Sequence, residues 1–121
     1  MKILLSIALL FSLFQIVTAQ TLENPGTPEE RAERMTIKMQ EELDLTTEQV
    51  PDIKALNLKY AQIMQKEVID TNLNTWAMYN RGTKINKKKE AELKPLLTEN
   101  QWKKYEKLRS KSMSQIWSKI F

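Results

Sequence analysis

Cysteine and histidine are absent from the sequence, and glycine occurs only at Gly26 and Gly82. Each absence closes a route. Without cysteine there is no disulfide, so a fold must hold through packing alone. Without histidine or cysteine there is no His-assisted serine or cysteine nucleophile and no zinc site of His and Cys ligands. Two isolated glycines cannot form a glycine-rich phosphate loop. Runs of alternating polar and apolar residues are also missing, which argues against strands. Acidic residues do cluster, at Glu29, Glu30 and Glu33 and at Glu41, Glu42 and Asp44. The first group sits where a helix N-terminus favours negative charge. Asp44-x-Thr46-x-Glu48 lacks the turn glycine and the acid at the twelfth position of a calcium loop. A carboxylate-based hydrolase would need two acids converging in a pocket, and nothing in the pattern places two there. The expectation is a non-enzymatic protein with no metal and no cofactor.

What the chain does contain begins with a leader. Lys2 precedes an apolar run from Ile3 to Val17, and Val17-Thr18-Ala19 offers small or modest residues for cleavage. The run is about 15 residues, short of the roughly 20 that span a bilayer. This is the pattern of a secretory signal peptide. Residues 1–19 are read as that peptide, cleaved after Ala19, residues 20–26 as a flexible tail, and residues 27–121 as one helical domain. The mature form would not span a membrane, and an exported protein would rarely meet nucleic acid. Charge is divided unevenly. Gln20 to Asn80 holds 6 Lys/Arg against 11 Asp/Glu, a net of −5, while Arg81 to Phe121 holds 12 against 4, a net of +8. Such asymmetry can steer partners or pair subunits head to tail.

The remaining pattern is helical. Thr27-Pro28-Glu29-Glu30 opens a first helix with a capping box, followed by Ala32, Met35, Met39 and Leu43 on one stripe. Leu45-Thr46-Thr47-Glu48-Gln49-Val50 then builds a second start. Thr46 caps the Gln49 amide, Gln49 reaches back to Thr46, and Leu45 meets Val50 as a hydrophobic staple. The construction recurs at Leu97, Thr98, Gln101 and Trp102. The second helix carries Ile53, Leu56, Tyr60, Ile63, Met64 and Val68 inward, with Trp76 and Tyr79 as an extension and Gly82 as its stop. Pro51 is expected to bend its first turn. A third helix is placed at about Thr83–Lys94, ended by Pro95. A fourth runs from Thr98 nearly to Phe121, with Trp102, Tyr105, Leu108, Met113, Ile116 and Ile120 inward.

The two Leu-Thr-x-x-Gln motifs (Leu45, Thr46 and Gln49; Leu97, Thr98 and Gln101), in an exported helical chain of this size, resemble the Spy/CpxP family of periplasmic proteins. The resemblance implies an all-α fold of about four helices in an elongated, thin, hairpin arrangement that forms an antiparallel dimer. Spy-like members are ATP-independent chaperones that bind unfolded clients on a concave face. CpxP-like members restrain an envelope-stress sensor kinase, which is the alternative expectation. Other relatives bind metal ions through histidines and cysteines that this sequence lacks, and Pro51 is a further departure.

On this reading the six motif residues are structural caps. The client-binding candidates are Met35, Met39, Trp76, Met78 and Tyr79, because methionine suits surfaces that accept many partners and the last three cannot all be buried by one helical stripe. Arg81, Lys84, Lys87, Lys88 and Lys89 form a candidate basic patch across the second hairpin, suited to long-range attraction of acidic segments.

Overall fold

The computed structural model describes residues 26–120, with side chains as far as Lys111. The predicted signal peptide, almost all of the predicted tail, and the inward positions assigned to Met113, Ile116 and Ile120 lie outside the described residues or side chains. The fold is all-α. Four α-helices follow one another among the described residues: α1 (Pro28–Leu43), α2 (Gln49–Met64), α3 (Thr75–Leu93) and α4 (Glu99–Ile120). There is no strand among the described residues, and none of their helices is long and apolar enough to cross a membrane.

Local chemistry explains where each helix starts. Before α1, Glu30 N donates to Thr27 Oγ1 at 3.2 Å and Thr27 N donates to Glu30 Oε2 at 3.1 Å, the reciprocal box read from the sequence. Asp44 ends α1 in the left-handed region (φ 52°, ψ 51°). Pro51, the third residue of α2, occupies a position whose N–H would have no partner within the helix, so α2 runs unbroken to Met64. There it widens into a π-turn, Gln65–Ile69, closed by Asp70 N donating to Gln65 O at 2.8 Å.

The next boundary differs from the sequence expectation. The second helix does not continue to Gly82. It stops after the π-turn, and α3 starts at Thr75, where Asn74 Oδ1 accepts from Ala77 N at 2.8 Å. Trp76 and Tyr79 therefore open α3, Gly82 lies inside it, and the basic residues Arg81 to Lys89 ride along one helix rather than across a hairpin. The physical reason is the run Asp70-Thr71-Asn72-Leu73-Asn74. Its short polar side chains offer the backbone local hydrogen bonds that compete with helix, as when Thr71 Oγ1 donates to Val68 O at 2.8 Å.

Packing follows the apolar stripes. α1 and α3 both pack on α2, and α4 returns to α1. Met39, Leu43, Ile53 and Leu93 are fully buried, with Leu56, Tyr60, Val68, Ile85 and Tyr105 around them. Two polar side chains share this interior: Asn57 Nδ2 donates to Thr36 Oγ1 at 3.0 Å, and Thr36 Oγ1 donates to Ala32 O at 2.8 Å. A Cβ at Gly82 would meet only Met64 Sδ, at an ordinary 3.9 Å. Gly82→Ala is therefore expected to stabilise the protein by about 0.5–1 kcal/mol, the helical cost of glycine, read as a higher urea midpoint.

Candidate functional site

The two threonine–glutamine motifs meet in space. Each makes its own cap: Thr46 N donates to Gln49 Oε1 at 2.9 Å, and Thr98 N donates to Gln101 Oε1 at 3.0 Å. The threonine hydroxyls accept in return from Gln49 N and Gln101 N. The carboxamides then bind one another. Gln49 Nε2 donates to Gln101 Oε1 at 2.7 Å, and Gln101 Nε2 donates to Gln49 Oε1 at 2.9 Å, across 52 residues. The second hydrogen of each amide goes to the opposite loop, from Gln49 to Leu96 O at 3.0 Å and from Gln101 to Asp44 O at 3.4 Å. Each carboxamide thus uses two donors and two acceptor positions, its whole capacity. The structural role read for these residues stands, but the sequence showed only half of it, because the cross-pairing is a tertiary contact. Leu45 and Leu97 from the loops and Trp102 from the first turn of α4 pack onto the core, and Trp102 stacks on Tyr105 with ring centroids 5.2 Å apart.

Away from this junction, α3 and α4 leave a gap. They are joined by a polar clasp, in which Glu90 accepts from Arg109 Nη1 at 2.6 Å, from Asn86 Nδ2 at 3.1 Å and from the Tyr105 hydroxyl at 3.4 Å. Burial, and then the neighbouring Glu90 charge, push the Tyr105 hydroxyl far above its usual range, so it stays a donor. Beside the clasp lies a groove of about 590 Å³. Met35 of α1, Met64 of α2 and Met78 of α3 bring three thioethers to it, and Leu108 of α4 closes the opposite wall. Gly82 keeps the α3 wall low beside Met64. Lys38 and Lys87 stand exposed at its edge. Its surface is largely apolar, and Asn86, Glu90 and Arg109 add polar groups to the lining; a mainly apolar concavity with convergent polar groups is the usual form of a binding site.

Of the client-binding candidates, the structure brings Met35, Met78 and Tyr79 together on this groove. Met39 is a correction: it is wholly buried, with its sulfur accepting from Asn57 Nδ2 at 3.6 Å. One turn of helix separates it from Met35, and α2 covers only the deeper of the two. Trp76 is 74% exposed and does not line the groove. Among the basic candidates, Lys87 reaches the groove, Arg81 donates to Glu67 O at 3.2 Å, and Lys84 and Lys88 face solvent. Met64 packs on the core, as its stripe predicts, and also lines the groove, while Leu108, placed inward by its stripe, is groove wall. Their helical stripe was visible, but the face left uncovered depends on where α3 and α4 part.

Lys89 is set apart from the others. It is half-buried in a smaller pocket of about 170 Å³ between α1, α2 and α3. Burial pushes its ammonium down to about 8, against a weaker upward pull from Glu90. No three carboxylates or other ligating side chains converge on a metal position among the described residues.

A helical protein whose described residues are closed by paired threonine–glutamine caps and opened on one side by a methionine groove is the class these features define. The chain belongs to the family described as a domain of unknown function, DUF4890, whose model matches residues 18–105 and so includes both motifs. No curated protein and no solved structure matches the chain.

Two outcomes follow from this geometry. Replacing Gln101 by Leu strands the Thr98 amide and the Gln49 carboxamide, and should cost about 2–3 kcal/mol in chemical denaturation. Gln49→Leu should cost a similar amount, and the double variant clearly less than the sum. Lys89 acts in the opposite direction. Its folded pKa lies below the unfolded value, so the unfolded state binds more protons between about pH 8 and 10.5. Its burial therefore costs stability below pH 8, and the cost fades as pH rises through that window. Lys89→Met should stabilise the protein at pH 7 by about 1–3 kcal/mol, with the gain shrinking by pH 10 in urea titrations.

Proposed function

We propose that the protein is an ATP-independent holdase of the Spy/CpxP kind, which binds unfolded or partly folded envelope proteins in the groove between α3 and α4. On this reading it is exported through the cleaved leader and acts in the periplasm as a dimer. The observation that carries the reading is the convergence of Met35, Met64 and Met78 on one open groove. Thioether side chains are flexible and polarizable, so one wall can repack around many apolar segments. The exposed Lys38 and Lys87 at its edge add long-range attraction for acidic stretches. Three hydrogen-bonded partners hold Glu90 in the clasp, which keeps the walls apart without filling the gap. Binding of this kind stays loose, which suits a holdase, since tight capture of the unfolded state would pull clients away from folding. The exposed Ile69, Trp76 and Tyr79 near the start of α3 fit a second subunit lying over that end.

The test follows aggregation of a reduced or heated client, without nucleotide, at equimolar mature protein. Protection is expected. Met78→Glu, which places a charge against the apolar wall, should raise the concentration for half-protection roughly tenfold. Ile37→Glu, at an exposed position of α1 outside the groove, should leave it unchanged. Absence of protection would reject the reading, and recovery of one stoichiometric envelope partner in its place would favour a regulator that docks on a sensor kinase.

A further inference from the structure

The polar groups that line the groove divide into two sets. Asn86, Tyr105 and Arg109 all donate to Glu90 in the clasp, and Thr83 Oγ1 donates to Tyr79 O at 2.7 Å. These groups are engaged within the fold. Lys38 of α1 and Lys87 of α3 are not: both are exposed, and neither has a hydrogen-bond or ion-pair partner among the described residues. The groove therefore carries two uncommitted positive charges beside the apolar surface of Met35, Met64, Met78 and Leu108. The backbone around it imposes a second constraint. Every lining residue belongs to a helix, whose peptide groups are paired along its own axis, and the described residues offer no strand edge. An extended polypeptide laid here would withdraw N–H and C=O groups from water on its inner side, with no ladder to receive them. A helix brings its own backbone hydrogen bonds and presents only side chains to the walls.

We propose that the groove takes an acidic amphipathic helix of a client polypeptide, its apolar ridge on Met35, Met64, Met78 and Leu108 and its flanking carboxylates on Lys38 and Lys87. The proposal rests on the reading of the groove as a polypeptide site, and names the kind of segment that enters it. Thioethers repack around ridge side chains of different shapes, so the ridge is selected for being apolar and not for its exact sequence. The two lysines select the flanks. An acid beside the ridge for each of them completes an ion pair that the fold leaves open, and rim pairs of this kind chiefly set partner choice and association rate. A basic amphipathic helix would meet two like charges in the same place. The occupant is thus defined by apolar anchors at i, i+3, i+4 and i+7 with glutamate or aspartate next to them.

The experiment titrates the mature protein with a synthetic peptide of about four helical turns that carries leucines at those spacings and glutamates beside them. One control has the same residues reordered to alternate, so that no helical ridge forms. A second replaces every glutamate by lysine. Salt is held near physiological strength, where charges more than about 8 Å apart are largely screened. The acidic helix is expected to bind and to gain helical circular dichroism as it does so, with both controls at least about tenfold weaker. Lys38→Glu combined with Lys87→Glu should reverse the preference, so that the lysine peptide binds better than the glutamate one. Lys84→Glu combined with Lys88→Glu, the same charge change at exposed positions outside the groove, should leave the order unchanged. Equal binding of the ridged and reordered peptides, an order that the groove pair fails to reverse, or a groove pair that acts no differently from the outside pair would each overturn the proposal. So would a stable dimer that binds no peptide, which would assign the groove to a second copy of the chain. Protection of an aggregating client without preference for the ridged peptide defeats this proposal and leaves the holdase reading standing, whereas ridge-specific binding without protection does the reverse.

Discussion

The reciprocal hydrogen bonds between the Gln49 and Gln101 carboxamides hold two distant helix starts to one another. α1 is linked to α2, and α3 to α4, through loops that would otherwise be independent turns. Pairing the glutamines makes them a single junction, with Asp44 and Leu96 supplying the outer carbonyls. The arrangement has a chemical selectivity that a capping residue alone would not need. A glutamate satisfies a cap amide equally well, but it cannot donate to its counterpart or to the opposite carbonyl. An amide at both positions is the simplest way to meet all four requirements. The junction also brings the start of α4 against α1, and Lys104 of α4 stands 3.2 Å from Asp44 at the α1 terminus.

From that fixed end the helices diverge in use. α2 is the central element, with α1 and α3 on it and the deepest core side chains between them. α4 leans on α1, and its link to α3 is the cluster around Glu90 rather than an apolar seam. Polar contacts need specific geometry and do not close a gap as hydrophobic packing does. The space beside them therefore persists as a groove, with Gly82 lowering one wall, methionines of three helices lining it and Leu108 opposite. Lys89 lines the smaller pocket between α1, α2 and α3, in a place where folding stability alone would favour an apolar residue.

The helical class and most of the core were legible in the sequence because they rest on local signals. Thr27, Thr46 and Thr98 each stand three residues before a Glu or Gln, and the stripes through Ile53, Leu56, Tyr60 and Val68 have helical spacing. The start of α3 was not legible in the same way. Asn74 caps it, but Ala77 stands where a box would carry Glu or Gln, and Gly82 offered a more familiar stop signal. The site was legible only in part. Met35, Met78 and Tyr79 could be singled out by residue type. What separates Met35 from Met39, or brings Met64 and Leu108 to a groove wall, is the position of neighbouring helices, which a periodic stripe does not encode. The pairing of two distant glutamines and the isolation of Lys89 have the same origin.

The methionine wall also has a redox dimension. With no cysteine in the chain, thioethers are its main oxidisable sulfur groups. The three that line the groove differ sharply from Met39, which is sealed in the core against Asn57. Conversion of Met78, the most exposed of the three, to its sulfoxide would replace part of a pliant nonpolar lining with a strong dipole, while the scaffold beneath kept its packing. Oxidants would thus reach the contact surface of this molecule before its framework, and reductase repair would return that surface without refolding the chain.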